Sequence, residues 1–448
     1  MKKQHLPLLI SFALIVTNAP AQSTITLPQA INAAFSNRKN IQAGKMDIAI
    51  QQLKTKALYR KYGPQASAEY NYNYNPILQS SVVPVGKFNP ALPSDATATI
   101  QFGTIWSQSA GISATQTLFD ANIRKQINEN RLQEKISRAS QAQTEYELAY
   151  EVSKSYVNIW LQEQQINSAI IDTARTGISY HLQLENYRAG RLLKSQLNTA
   201  IINHNNTKQQ LMDAKLQLVE NKIYLMYITG SLATEANDFN IDTTFFNSNS
   251  LLLIDAKIVL DSIPIFQQLN LQKQLSLSQQ QTENSKYIPV ASLKGFLGAN
   301  QFSNEFDPIK SNSWFGYSYI GLNVKFPLLL AEDRKNKVQQ LQLQAQQFSI
   351  LQDDKSAQLN QESVTAKLEL TRIKLQLNTQ EENIILYKET LKILQDRFKE
   401  QQITSSELNR QEFELQKLLT EYQSTNVKVW LFGLSYLNVT GQLSKLWK

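Results

Sequence analysis

The longest stretch without a helix-breaking residue constrains this chain most. Residues 328–432 contain neither proline nor glycine, which is a run of 105 residues. Because both residue types disfavour the interior of a helix, a run of this length predicts mostly helix. We expect one very long helix at 331–399 and a second helix at 405–438.

A second stretch of the chain has the same character. Between Asn122 and Thr229 the only glycines are Gly177 and Gly190, and there is no proline. Apolar residues recur there every three to five positions, as on one face of a helix. At 1.5 Å per residue, a helix at 122–187 would extend about 100 Å, which no compact domain can bury.

The chain repeats itself at a spacing of 211 residues. The segment YRAGRLLKSQLN at 187–198 aligns with FKEQQITSSELN at 398–409, and ITG at 228–230 aligns with VTG at 439–441. A repeat this long indicates a duplicated structural unit rather than a solenoid. Each copy reads as a helix, a strand, a loop, a strand, a very long helix, a tip and a final helix.

This plan predicts the domain boundaries. Repeat 1 spans 22–230, repeat 2 spans 263–448, and the segment 231–262 joins them as an equatorial linker. The elements predicted for repeat 1 are a helix at 27–61, strands at about 65–75 and 106–119, and helices at 122–187 and 194–228. The elements predicted for repeat 2 are a helix at 263–287, strands at about 290–301 and 315–326, and helices at 331–399 and 405–438.

The predicted strands have two chemically different faces. Tyr70, Tyr72 and Tyr74 alternate with asparagines in the segment ASAEYNYNYNP, and residues 319–326 alternate in the same way. Such alternation predicts a strand with one apolar and one polar side. Each strand has roughly the ten residues with which a tilted strand crosses a bilayer. On this pattern alone, a soluble β-layer with one buried face is the alternative.

Four strands cannot close a membrane barrel. Known barrels start at about eight strands, and an open edge is not tolerated in hydrocarbon. Three chains would supply twelve strands and twelve helices, so we expect a trimer. Tyr70, Tyr72 and Tyr74 would then face lipid or its interface with water, where aromatic rings are favoured.

The N-terminus has the pattern of a secretory signal peptide, residues 1–21. Two lysines precede an apolar run at residues 6–16, and Ala19 and Ala21 form an A-x-A cleavage site. The alternative is a membrane anchor, for which the apolar run is too short. We therefore predict export with cleavage after Ala21.

Composition excludes several classes of protein. The absence of cysteine excludes disulfides, thiol catalysis and a lipidated N-terminal cysteine. The 45 basic and 37 acidic residues are interspersed, which gives no support for nucleic acid binding. We find no phosphate-binding loop, nucleophile motif or metal-ligand cluster. We therefore predict no catalytic residue, no cofactor and no metal, and the chain does not look like an enzyme.

The layout resembles the TolC family of outer membrane efflux channels over residues 25–445. The duplicated plan, the strand-to-helix junction TQTLFDANIR and the tip element YRAGRLLKSQLN carry the resemblance. It implies a mixed α/β membrane protein, in which a homotrimer closes a 12-stranded β-barrel in the outer membrane of a Gram-negative bacterium. A periplasmic α-barrel tunnel of long helices would extend from the barrel.

The resemblance also implies a function and partners. The family is the passive exit duct of tripartite efflux pumps and type I secretion systems. Its partners are a periplasmic adaptor and an inner-membrane transporter. A non-channel coiled-coil scaffold of the cell envelope is the alternative function, against which the two-faced strands argue.

The family's functional residues can be carried onto the two tips. The acid that rings the family's closed aperture falls at Glu407, and its first-repeat equivalent is the uncharged Gln196. The candidates for adaptor contact are Gly190, Arg191, Leu192 and Ser195 in one tip and Gln402, Ile403, Thr404 and Ser406 in the other. A basic residue that helps to hold the closed state would fall at Ile403, so that tether is missing. Alternatively, Thr404 and Glu407 form a capping box that starts a helix.

Overall fold

The computed structural model describes residues 23–88, 91, 93–231, 239–244, 246, 258–306, 314–327, 331–400 and 402–447. The predicted signal peptide and most of the segment 231–262 lie outside these ranges.

The elements follow the duplicated plan. The first half contains β1 (Ser23–Ile25), α1 (Leu27–Asn37), α2 (Lys39–Arg60), β2 (Pro64–Tyr74), β3 (Gln79–Val83), β4 (Ala98–Phe102), β5 (Trp106–Phe119), α3 (Ala121–Arg188) and α4 (Lys194–Thr229). The second half contains β6 (Phe239–Ile241), α5 (Pro264–Ser285), β7 (Val290–Ser303), β8 (Trp314–Lys325), α6 (Ala331–Lys399) and α7 (Ser405–Val439).

The two long helices are nearly equal in length. Helix α3 has 68 residues and α6 has 69, so each extends about 100 Å. Helices of 36 and 35 residues, α4 and α7, follow them. The predicted mixed α/β fold with very long helices and two structural repeats is confirmed. Among the residues that the structure describes, none of the helices combines the length and the apolar composition needed to cross a bilayer.

The chain forms two compact units. The sheet unit contains residues 46–138 and 268–352. The helix unit contains the described residues of 1–45, 139–267 and 353–448. Each unit has its own hydrophobic cluster, as described below.

The sheet unit is built on one antiparallel sheet with the strand order β2-β5-β7-β8. In the same unit, Leu58 of α2 packs against Ile123 and Ile127 of α3. Strands β3 and β4 form a separate antiparallel hairpin inside the connection between β2 and β5. The sequence predicts a loop for that connection, so the hairpin is a difference between the prediction and the structure.

The first helical segment is two helices, whereas the sequence predicted one helix at 27–61. Helix α1 ends at Asn37, and the following residue, Arg38, has extended backbone angles of −66° and 129°. The Arg38 guanidinium donates to the carbonyl oxygen of Tyr227 at 3.1 Å and lies over its ring. Gly230 allows the close approach, because a Cβ atom there would lie 2.6 Å from that of Asn37. A contact with the end of α4 therefore sets the break.

The core of the helix unit surrounds a short parallel pair of strands, β1 and β6. Tyr156 of α3 is fully buried there, as are Leu434 and Leu437 of α7. The Phe246 ring stacks on Trp160 at 5.1 Å. Burial of each large side chain contributes about 1.5–3 kcal/mol, so this cluster stabilises the middle of α3.

Candidate functional site

The register of the sheet assigns its residues to two faces. Residues that are directly opposite in neighbouring antiparallel strands point to the same side, and successive residues alternate. The register pairs Tyr70 with Ala110, Ala110 with Ala299, and Ala299 with Gly316. One side of the whole sheet is therefore the side of Tyr70, and the other is the side of Glu69.

The Tyr70 side is apolar and exposed. Ile112, Leu297, Ile320 and Leu322 lie on it, and their exposed fractions are 56%, 68%, 82% and 66%. Strands that were read separately in the sequence therefore combine into one continuous apolar surface, which we call the apolar face. Exposed apolar surface of this extent marks a site of contact with lipid or protein.

The opposite side, the polar face, carries hydroxyl, amide and charged groups. Its polar residues include Ser67, Glu69, Asn71, Asn73, Ser109, Ser113, Thr115, Lys294, Asn300, Asn323 and Lys325. The hydroxyl groups of Ser67 and Ser113 lie 2.8 Å apart, and the Asn71 amide donates to Ser109 at 3.3 Å. The polar face also contains aromatic residues on β7 and β8, which no motif in the sequence marks as a site.

The three predicted tyrosines share the apolar face. Tyr72 stacks on Trp106 at 5.2 Å, and Tyr74 lies 4.6 Å from the same ring. Phe306 contacts both Tyr72 and Trp106 edge-on. This aromatic cluster lies at the end of β2 that leads into the β3–β4 hairpin, away from the strand ends that continue into helices.

Tyr70 makes a different contact. Its hydroxyl group donates to the side-chain oxygen of Gln108 at 2.7 Å. Gln108 is only 4% exposed although it lies on the apolar face. Sequence reasoning missed Trp106, Gln108 and Phe306, because only the register brings them beside the tyrosines.

The first tip joins α3 to α4. Gly190 has a φ angle of +72°, a left-handed conformation that disfavours other residues. The backbone N–H of Arg191 donates to the carbonyl oxygen of Asn186 at 2.8 Å, which closes the end of α3. The side-chain oxygen of Gln196 accepts a hydrogen bond from the backbone N–H of Leu193 at 3.2 Å. The Gln196 side chain is thus tied to the start of α4.

The second tip joins α6 to α7 with related hydrogen bonds. The N–H of Gln402 donates to the carbonyl oxygen of Arg397 at 2.9 Å, 211 residues after the equivalent bond of the first tip. The hydroxyl group of Thr404 accepts from the N–H of Glu407 at 3.2 Å. This is one of the two hydrogen bonds of a capping box. The other bond, from the backbone N–H of Thr404 to the Glu407 carboxylate, is not formed among the described residues. Gln401 and the Ser406 side chain lie outside the described part.

The remaining tip candidates differ in exposure. Arg191, Ser195, Gln402 and Thr404 are exposed, whereas Leu192 and Ile403 are half-buried. Glu407 and Gln196 are both exposed. Near the second tip, the Lys399 ammonium group donates to Asp396 at 2.8 Å. This hydrogen bond lowers the pKa of the Asp396 carboxyl group below its ordinary value.

The fold matches solved structures along almost its whole length. CusC aligns with a TM-score of 0.68 and 15% identity, covering 98% of this chain and 98% of that one. The outer membrane protein VceC of Vibrio cholerae aligns with a TM-score of 0.65 and 12% identity, covering 93% and 96%. The CmeC outer membrane channel of Campylobacter jejuni aligns with a TM-score of 0.63 and 14% identity, covering 100% and 94%.

The chain has the outer membrane channel fold. The resemblance to the TolC family that the sequence indicates is thereby confirmed at the level of the fold. Neither a protein-family model nor the sequence of a curated protein matches the chain. Within the outer membrane channel fold, this chain has a four-stranded sheet with two chemically distinct faces. It also has two tips, at each of which a backbone hydrogen bond ends the preceding long helix.

Proposed function

We propose that the chain is one subunit of a homotrimeric channel in the outer membrane of a Gram-negative bacterium. It would be the passive exit duct of a tripartite efflux pump or of a type I secretion system. The observation that carries this proposal is the four-stranded sheet with an exposed apolar face and two outer edges.

The edges support assembly with further copies. In the described part of the chain, the outer edges of β2 and β8 pair with no other strand. Unpaired backbone groups are costly in hydrocarbon and invite pairing elsewhere. Because the four strands alternate in direction, β8 of one subunit and β2 of the next would run antiparallel. Three subunits would then close a 12-stranded barrel with an unbroken antiparallel pattern.

Exposed seams on the helices also support assembly. Among the large apolar side chains that helix α6 exposes, the seven most exposed lie largely at the seven-residue spacing of coiled-coil contacts. They are Leu343, Ile350, Val364, Leu368, Leu375, Leu386 and Ile393, each 58–68% exposed. Exposure of this row of apolar side chains to water is unfavourable. We therefore infer that helices of neighbouring subunits cover it.

The two faces of the sheet suit a channel wall. The apolar face would contact lipid, with Tyr70, Tyr72 and Tyr74 in or near the interface. The polar face would line the lumen and hydrate a passing substrate without chemistry at any bond. The tips would contact a periplasmic adaptor, through which an inner-membrane transporter delivers substrate.

Cysteine cross-linking tests the proposed edge contact, because the natural chain contains no cysteine. Asn71→Cys on β2 is combined with one cysteine at a time at Phe315, Tyr317, Tyr319 or Gly321 of β8, all on the polar face. We expect at least one pair to form disulfide-linked dimers and trimers, since paired strands bring Cα atoms within the 4.4–6.8 Å that a disulfide needs.

The matched control replaces the β2 cysteine by Ser109→Cys on β5. Strand β5 is flanked on both sides by strands of its own chain, so no intersubunit disulfide is expected. The trimeric channel would be refuted if every cysteine pair gave only monomers. A stable monomer in native mass spectrometry of the detergent-purified protein would refute it as well.

A further inference from the structure

An aromatic cluster interrupts the polar face of the sheet. Phe296 of β7 lies 4.8 Å from Tyr317 and 5.9 Å from Tyr319 of β8, measured between ring centroids. The angles between the ring planes are 26° and 15°, so the three rings are almost parallel. Tyr317 and Tyr319 are 44% and 53% exposed, which leaves ring surface accessible.

Two glycines, Gly111 and Gly298, leave the space that the Phe296 ring occupies. A Cβ atom at Gly111 would lie 2.3 Å from the ring carbon Cζ of Phe296, and one at Gly298 would lie 2.6 Å from it. No larger residue at either glycine could coexist with the ring in this position. The ring therefore rests against the sheet over positions that have no side chain.

The same row of the sheet ends in a carboxylate. Glu69 is paired with Gly111, Gly111 with Gly298, and Gly298 with Tyr317. Tyr317 covers one side of the Phe296 ring, and on the other side only Gly111 separates the ring from Glu69. Neighbouring strands lie about 4.8 Å apart, so the exposed Glu69 side chain lies within reach of the ring.

The nearby positive charge lies in another row. Lys294 shares the polar face, but the Phe296 ring leans toward Gly298, four residues along β7 from Lys294. That distance along a strand is about 13 Å. The gap beside the ring is thus bounded by an aromatic surface and a carboxylate, with a glycine as its floor.

We propose that Phe296, Tyr317, Tyr319 and Glu69 form a binding site for planar aromatic cations in the lumen of the channel. A planar cation would extend the stack of rings through π-stacking and cation–π attraction, while the carboxylate neutralises its charge. The inference rests on the proposed function, because it requires the polar face to line a lumen. A trimer would carry three such sites.

Block of single channels in planar bilayers tests the site, with ethidium as the planar cation and pyrene sulfonate as the planar anion. We expect ethidium to reduce the conductance of the wild-type trimer and pyrene sulfonate to be much weaker. Phe296→Leu should raise the ethidium concentration for half block about fivefold or more, and Glu69→Gln about threefold. Phe296→Tyr keeps the ring and should retain the block.

Phe302→Leu is the matched control. Phe302 lies on the same polar face, six residues along β7 from Phe296 or about 20 Å, and should leave the block unchanged. Equal block in the wild type, Phe296→Leu and Glu69→Gln would overturn the site and show that the ring only covers the glycines. If Phe296→Leu does not assemble, the block of Glu69→Gln still tests the site, because the Glu69 side chain is exposed and its replacement should leave assembly intact. A wild-type protein without any conductance would instead refute the proposed channel.

Discussion

The hydroxyl group of Tyr156 accepts a hydrogen bond of 2.8 Å from the backbone N–H of Asp242. The same hydroxyl group donates to the carbonyl oxygen of Ile25 at 2.5 Å. One side chain of α3 therefore joins the residue that ends β1 to the residue that follows β6. Burial raises the pKa of this hydroxyl group, so it keeps its proton across the physiological range.

Tyr156→Phe should loosen the two strands. The Asp242 N–H also reaches the Ile25 carbonyl oxygen at 3.1 Å, so a direct backbone bond remains at this position in addition to the ladder between β1 and β6. We therefore expect a loss of about 1 kcal/mol in the free energy of unfolding. Hydrogen exchange at residues 23–25 and 239–241 should become faster. Tyr187→Phe removes an exposed hydroxyl group from the same helix and should change neither quantity.

Arginine substitutions distinguish the two faces of the sheet. Ile112 lies in the middle of β5 on the apolar face, so Ile112→Arg should lower the free energy of unfolding in lipid by about 2–4 kcal/mol. Tyr72→Arg lies two residues from the end of β2 and should lose about 0.5–1.5 kcal/mol, mainly through the stacking on Trp106.

Asn73→Arg is the control on the polar face. Its side chain is exposed and would point into water, so the free energy of unfolding should stay within about 0.5 kcal/mol of the wild type. Urea unfolding of the protein in lipid vesicles measures all three variants. Equal losses for Ile112→Arg and Asn73→Arg would mean that the two faces have been assigned to the wrong environments.

The long helices and the alternating strands could be predicted because each is encoded locally. A run of 105 residues without proline or glycine leaves few alternatives to α6 and α7, and alternation marks β2 and β8. The break at Arg38 could not be predicted in this way, since it depends on Tyr227 and Gly230, which are about 190 residues away in sequence. Tertiary contacts of that range leave no periodic signal.

In the candidate site, too, the sequence predicts the features that are encoded locally and not those that depend on tertiary contacts. The repeat in the sequence located the two tips, and the resemblance to the TolC family supplied their candidate residues. The closing bonds at Arg191 and Gln402 recur at the same spacing as the repeat. The row of Glu69, Gly111 and Phe296 arises only when three strands adopt their register. Glycines and a phenylalanine have no shared spacing along the chain, so no motif could have indicated them.

A half-buried carboxyl group predicts a pH dependence of stability. Desolvation raises the pKa of Glu163 in α3 above its usual value of 4.5, and the Lys222 ammonium group offsets part of this shift. The folded state then binds more protons than the unfolded state between 4.5 and the raised pKa. The contribution of Glu163 to the free energy of unfolding therefore falls as the pH rises through that window.

Glu163→Gln should remove this part of the pH dependence. We expect the variant to lose less stability than the wild type between pH 4 and pH 7, as measured by thermal unfolding in detergent. Glu147→Gln, which changes an exposed carboxylate of the same helix, should follow the wild-type curve. Parallel curves for all three proteins would show that Glu163 is solvated and titrates normally.

The exposed carboxylate of Glu407 predicts the ion preference of the proposed channel. Thr404 caps α7 through its own hydroxyl group, which leaves the Glu407 carboxylate exposed and without the return bond of a capping box among the described residues. In the proposed trimer, three such carboxylates would surround one axis. Like charges held close together attract cations. The resting channel should therefore prefer cations and be blocked by hexaamminecobalt(III) from the periplasmic side.

Planar-bilayer recordings of Glu407→Gln and Glu412→Gln separate an aperture role from a helix-start role. Both changes remove one exposed carboxylate from the first turns of α7, but five residues along a helix place Glu412 about 140° around the axis from Glu407. We expect Glu407→Gln to raise the half-blocking concentration about tenfold, because a trivalent cation loses three nearby charges at once. Glu412→Gln should have little effect.

Gln196→Glu, which keeps an acceptor for the Leu193 N–H, should strengthen the block if the first tip borders the same opening. Identical block in Glu407→Gln and Glu412→Gln would mean that Glu407 only stabilises the start of α7 through the helix dipole.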